Sequence, residues 1–157
     1  MCDRRQSRAP GSANALRSYI RSQQPVIFSG ALASWPASTR WTFEQLKRDY
    51  SAINIHINEK LVTFGEYIDG ICAGTEGSYL GNRDMSQQIP ALRNDILFPE
   101  CYLHKSLSRV NYWFGPKGTL THLHRDFSHN LFAQIQGRKH FLLFSPHKSH
   151  RLNPCAV

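Results

Sequence analysis

Apolar positions recur at helical spacing in the first half of the chain and crowd at strand spacing in the second. Leu16, Tyr19 and Ile20 form a short helical stripe behind Ser12, a residue able to cap it, and Pro25 closes it before the apolar run Val26–Phe28. Thr42 and Gln45, then Thr63 and Glu66, stand three residues apart ahead of Phe43/Leu46/Tyr50 and Phe64/Tyr67/Ile68/Ile71. That is capping-box spacing before an apolar stripe, and it predicts two amphipathic helices with a strand over 52–57 between them. Further on, Tyr79 and Leu80 suit a short strand, Pro90 the first turn of a brief helix, and 110–114 a strand rich in β-forming residues. The segments 120–124, 131–136 and 139–144 read as successive antiparallel strands, the last two flanking a tight Gly137-Arg138 turn. Trp113, Phe114, Phe132, Phe141 and Phe144 are the expected core of that sheet. Helices followed by clustered strands predict an α+β layout in which the strands form a sandwich or open barrel.

Composition narrows the class. At 157 residues, with 41% hydrophobic and 19% charged residues, the chain fits one globular domain. Residues 1–11 lack periodicity and read as a flexible basic lead-in to a domain over 12–157. No apolar run approaches the roughly 18 residues of a membrane span, and the start lacks a secretory apolar core. A soluble, unexported, cytoplasmic protein is expected, although the arginines and serines of the first residues leave an organelle or nuclear address open. The four cysteines, at 2, 72, 101 and 155, show no paired spacing for zinc or disulfides, so free thiols are expected. Lys and Arg exceed Asp and Glu by 19 to 11, which would attract nucleic acid, acidic protein or an anionic small molecule. The basic residues are scattered, and no compact basic and aromatic stripe for nucleic acid is present.

The densest chemistry is Thr119-Leu-Thr-His-Leu-His-Arg-Asp126. His124 and Asp126 are two apart, so on a strand both point to one face. An imidazole and a carboxylate converging there supply two ligands of the 2-His-1-carboxylate set used by non-haem Fe(II) oxygenases. Alone the tripeptide is a weak signal, since His-x-Asp arises by chance. Its surroundings add to it. The run from Asn111 to Pro146 contains a strand, a glycine turn, Thr121-x-x-His-x-Asp126, Asn130, Gln134-x-x-Gly-x-Lys139 and an apolar strand ending in Pro146, and it resembles the central block of the cupin-like JmjC hydroxylases. That group includes the asparaginyl hydroxylase that inhibits hypoxia-inducible factor. Pro25-Val-Ile-Phe-Ser-Gly30, the Trp35-Pro36 and Trp41-Thr42 pairs and the stretch from Tyr79 to Asp95 are similar to the N-terminal part of the same domain, so the likeness runs over roughly 25–153.

The resemblance implies a double-stranded β-helix of the cupin or jelly-roll kind preceded by helices, with Fe(II) as cofactor, 2-oxoglutarate as cosubstrate and hydroxylation as the reaction. It assigns His124 and Asp126 to the metal, Lys139 to the far carboxylate of 2-oxoglutarate, and Thr121, Asn130 and Tyr79 to the cosubstrate pocket. Each has a plainer alternative: Lys139 as a hairpin lysine facing water, Asn130 as a turn residue, Thr121 as an ordinary strand threonine, Tyr79 as core packing. The family's third ligand is a later histidine, and none is recognised before Val157. The expectation is therefore an incomplete barrel with open sheet edges through which the chain associates with itself, and weak metal binding. His122 shares the strand face of His124 and is a geometrically conceivable substitute. The expected function is an oxygenase domain acting on protein or RNA, with a non-catalytic cupin-like binding module as the alternative.

Overall fold

Two threonine caps set the first half of the structure. The computed structural model describes residues 5–7, 13–23, 25–97, 110–126 and 129–152. In chain order these form β1 (Arg5–Ser7), α1 (Ala13–Arg21), β2 (Val26–Phe28), α2 (Ala37–Arg40), α3 (Phe43–Tyr50), β3 (Asn54–Ile57), β4 (Lys60–Thr63), α4 (Phe64–Ala73), β5 (Leu80–Asp84), α5 (Met85–Gln88) and β6 (Asn111–Phe114). Tighter 3-10 turns occupy Pro90–Asp95 and Pro146–Arg151. The chain divides into two compact units, residues 34–119 and residues 1–33 with 120–157. No helix among the described residues is long and apolar enough to cross a membrane.

In the 34–119 unit, Thr42 is extended and its hydroxyl accepts the Gln45 backbone N–H at 3.2 Å, which starts α3. The Gln45 side chain turns along the helix to donate to Asp49 at 2.8 Å, and that bond holds the Asp49 carboxyl below its usual range. At α4 both halves of a capping box form. Glu66 N–H donates to the Thr63 hydroxyl at 3.2 Å, and Thr63 N–H donates to the Glu66 carboxylate at 2.8 Å. Gly74 ends α4 in the left-handed region at φ 72°, a conformation that costs a residue with a Cβ.

The buried faces are those the stripes predict. Leu46 of α3 and Phe64, Tyr67 and Ile68 of α4 pack with Ile55, Ile57, Leu80, Ile89, Leu92 and Tyr112. β3 and β4 pair antiparallel from Asn54↔Thr63 to Ile57↔Lys60 around Asn58 and Glu59, both at positive φ. That is the two-residue hairpin geometry whose twist matches its strands. β5 and β6 pair antiparallel, Leu80 opposite Phe114 and Asp84 opposite Asn111. The Tyr67 hydroxyl joins them to α4. It lies 2.9 Å from the Ser78 carbonyl and 3.1 Å from the Phe114 carbonyl, sharing one proton between them, and accepts the Leu80 N–H at 3.3 Å. One buried carboxylate, Asp95, accepts from Arg40 Nη1 at 2.7 Å and from Trp41 Nε1 at 3.0 Å. A buried charge satisfied from two sides is tolerated where an unpaired one is not.

In the other unit β1 runs parallel to β2, with Arg5 opposite Val26 and Ser7 opposite Phe28, and α1 supplies the crossover that a parallel pair requires. Tyr19 of α1 meets Phe28 edge to face at 5.5 Å. The lead-in expected over 1–11 is thus structured at 5–7. The expected Ser12 cap lies outside the described residues.

The second half departs most from expectation. The segments 120–124, 131–136 and 139–144 form no strand and no ladder, and the described strands make three two-stranded sheets and no closed barrel. The chain does fold back at Gly137, φ 75°, so that Phe132 and Phe141 meet edge to face at 5.0 Å. Side-chain pairing therefore occurs without a backbone ladder. The expected core assignment fails for Trp113, Phe132, Phe141 and Phe144, which are 38–48% exposed. Rings on one layer of chain are buried only against a second layer, and none of the described residues covers them here.

Candidate metal and cosubstrate site

Pro116 and Gly118 turn the chain out of β6, with the Thr119 hydroxyl donating to the Pro116 carbonyl at 2.8 Å, and the following residues to 126 belong to no helix or strand and bend at Leu123. His124 and Asp126 are nonetheless close to one another. His124 Nδ1 is 2.8 Å from the His122 carbonyl. A carbonyl only accepts, so Nδ1 carries the hydrogen in this contact and the neutral ring keeps its lone pair on Nε2. That nitrogen is 3.7 Å from Asp126 Oδ1. The other carboxylate oxygen, Oδ2, accepts from Asn130 Nδ2 at 3.3 Å. Each of the two side chains is thus braced on its far atom while the near atoms face each other.

The pair fits an ion. Two donors bound at about 2.0–2.2 Å and at right angles to one another stand roughly 3 Å apart. Closing from 3.7 Å to that separation is a small side-chain rotation. Both side chains are about half exposed, 53% and 52%, so as a plain ion pair they contribute little stability. Nitrogen and carboxylate oxygen together suit a borderline divalent ion such as Fe(II). Among the described residues no group of three His, Cys, Asp or Glu side chains converges.

The other expected site residues are placed as follows. Lys139 lies with its ammonium 5.2 Å from the Phe132 ring centre and 5.7 Å from that of Phe141. Thr121 is exposed, three residues before His124. Asn130, expected at the cosubstrate, sits against Asp126. Tyr79 belongs to the 34–119 unit, where its ring packs on Trp113 at 5.5 Å and against the Cα of Gly115. The structure therefore gathers His124, Asp126 and Asn130 locally and sets Lys139 on an aromatic corner. Phe132 and Phe141 were read as core and the His122 carbonyl was not singled out. Alternation could have flagged Phe141, two residues from Lys139, whereas a backbone carbonyl leaves no mark in a sequence.

A second, polar depression of about 290 Å³ lies in the 34–119 unit beside β3 and β4, lined by Asn58, Lys60 and Glu76 among others. The Ser78 backbone N–H, 2.6 Å away, holds the Glu76 carboxyl below its ordinary range. A carboxylate held ionised and already engaged is poorly suited to proton transfer.

Residues 54–156 match the family described as a cupin-like domain. The chain is 32% identical to lysine-specific demethylase 8 of Danio rerio over 87% of its own length and 38% of that protein. To lysine-specific demethylase JMJ30 of Arabidopsis thaliana it is 30% identical over 88% of its own length and 37% of the relative. To the bifunctional peptidase and (3S)-lysyl hydroxylase JMJD7 of Homo sapiens it is 23% identical, over 87% and 52% respectively. The chain thus spans well under two thirds of the relatives it matches. Their names are directed at lysine, so the likeness is to the cupin-like JmjC group and not specifically to its asparaginyl hydroxylase.

Proposed function

From the premise that this chain belongs to the cupin-like domain family, we propose that it is part of an Fe(II)- and 2-oxoglutarate-dependent oxygenase that hydroxylates a protein side chain. RNA is the less favoured substrate class, because the relatives' names point to lysine. The observation that carries the reading is the braced pair, with His124 Nε2 and Asp126 Oδ1 facing each other at 3.7 Å. In this reading those two atoms hold the ion, and Asn130 and the His122 carbonyl keep them aimed. Lys139 pairs with the far carboxylate of 2-oxoglutarate, Thr121 contributes to its pocket, and the enclosing architecture is the family's double-stranded β-helix. Iron with 2-oxoglutarate and dioxygen supplies the oxidising chemistry when bound. The chain's own residues bind and orient, which is where the protein's contribution to such a reaction lies.

The test is metal titration followed by turnover. Co(II) binding, read from its visible absorption, is expected to be weak in the 157-residue chain, because two protein ligands hold an ion less firmly than three. His124→Ala and Asp126→Ala are each expected to weaken it by about tenfold or more. Affinity unchanged by both substitutions would sink the metal assignment. Succinate formation from 2-oxoglutarate with Fe(II) is expected to be low and to vanish in His124→Ala. A second reading, a non-catalytic cupin-like binding module, draws support from the half-exposed state of both ligands. Metal and 2-oxoglutarate binding with no succinate at all would select it.

A further inference from the structure

The excess of positive charge is scattered along the sequence but not through the fold. The 34–119 unit holds nine Lys and Arg and nine Asp and Glu, and is neutral. The other unit holds ten against two, Asp3 and Asp126, so the whole excess of +8 sits there. Its helix α1 concentrates the pattern. No acidic residue occurs between Asp3 and Glu44, and the five cations of residues 4–21 are all arginine. α1 half-buries Ala15, Leu16, Tyr19 and Ile20, with Tyr19 against Phe28 of β2, and leaves Asn14, Arg17, Ser18 and Arg21 exposed. Those four stand at i, i+3, i+4 and i+7 and so form one stripe, with the two guanidiniums about one turn, roughly 6 Å, apart along the axis. Neither arginine is ion-paired among the described residues.

Two planar cations flanked by an amide and a hydroxyl, with no carboxylate to compete, match a row of phosphates. Guanidinium meets phosphate through two parallel hydrogen bonds, and Asn and Ser supply the neutral contacts that a sugar-phosphate backbone takes. Phosphates on one strand of a duplex recur about every 3.4 Å, so two steps come near the separation of the arginines. The stripe carries no aromatic ring on which unpaired bases could stack, which favours a duplex over a single strand. An anionic bilayer suits it less, because a helix lying on a membrane inserts its apolar face, and that of α1 is turned to β2.

We propose that Asn14, Arg17, Ser18 and Arg21 form a docking surface for the phosphate backbone of a double-helical nucleic acid, held without regard to base sequence. This goes beyond the oxygenase reading and needs no part of it, since neither the metal pair nor Lys139 contributes.

The test is fluorescence anisotropy of a short labelled DNA duplex titrated with the full chain at a series of salt concentrations. Arg17→Gln with Arg21→Gln keeps good helix formers in place. That double variant is expected to weaken binding by about tenfold at low salt and to flatten the slope of log affinity against log salt by about 1.8, the loss of two phosphate contacts. Lys60→Gln with Lys117→Gln removes the same charge from exposed positions of the neutral unit and is expected to bind like the parent. Asn14→Arg adds a cation to the stripe and is expected to tighten binding and steepen the slope, a readout that a failure of the glutamine variant to fold does not touch. Equal losses in the two double variants would overturn the proposal, because net charge and not α1 would then be responsible. So would competition by polyglutamate as strong as that by unlabelled duplex of equal charge, which marks an acidic protein as the partner, or binding to phosphatidylserine vesicles with none to the duplex.

Discussion

Tyr67 is buried and its hydroxyl is engaged by three backbone groups, so ionising it would place a charge among carbonyls. Burial, against the weaker pull of the Leu80 N–H, pushes its pKa up to about 12. In the unfolded chain the phenol titrates near 10. Between those values the folded state keeps a proton that the unfolded state has released, so this contribution is whole below pH ~10 and is lost as pH rises towards ~12. The loss reaches about 3 kcal/mol, and urea unfolding of wild type and Tyr67→Phe at pH ~9 and ~11.5 should show a steeper alkaline decline in wild type. At Asp95 the expectation is simpler. Asp95→Ala strips the acceptor from Trp41 Nε1 and the partner from Arg40, and should cost about 3 kcal/mol by the same measurement. The hydrogen bonds of these two side chains could not be picked out in advance, because their partners lie far away in the chain. His124 and Asp126 stand out in the sequence through the resemblance that their motif carries, and the structure leaves them 3.7 Å apart. Asn130 shows the limit: an amide beside a site reads the same whether it faces a cosubstrate or steadies a ligand.

The elements that were legible are those whose signal is local. Thr42 and Thr63 cap where their spacing says, and the apolar stripes of α3 and α4 are the faces that bury Leu46, Phe64, Tyr67 and Ile68. Thr63→Ala is expected to destabilise by about 1 kcal/mol in chemical unfolding. The bond from the Thr63 backbone N–H holds the Glu66 carboxyl below its ordinary value, so that contribution is present above the usual carboxylate range and is lost as pH falls through the lowered value. β4 was missed because its turn, Asn58-Glu59, lacks the usual glycine and its Leu61 faces water. In the second half the opposite error occurred. Residues of high β propensity were present, but a strand is made by a backbone partner in register, and propensity alone reports only that a residue would suit one.

At the scale of the molecule, Phe141, Leu142, Leu143 and Phe144 are consecutive, apolar and 46–75% exposed, in a segment that no strand pairs. Such a segment is a template for pairing with another copy. Sedimentation velocity is expected to show association rising with concentration, relieved by Leu142→Ser with Leu143→Ser. A single sedimenting species at every concentration would mean that these side chains find cover within one chain. The division into units has a consequence in time. The 34–119 unit is continuous, whereas the other is assembled from both ends of the chain. On the ribosome the inner unit could fold as soon as its last residue emerges, while residues 1–33 would wait through the whole of its synthesis for the segment that completes their unit. Contacts so distant in sequence form late. Nascent chains arrested at increasing lengths should acquire protease resistance first across 34–119, and residues 1–33 should stay open to cleavage and to chaperones until the segment from residue 120 onward has emerged.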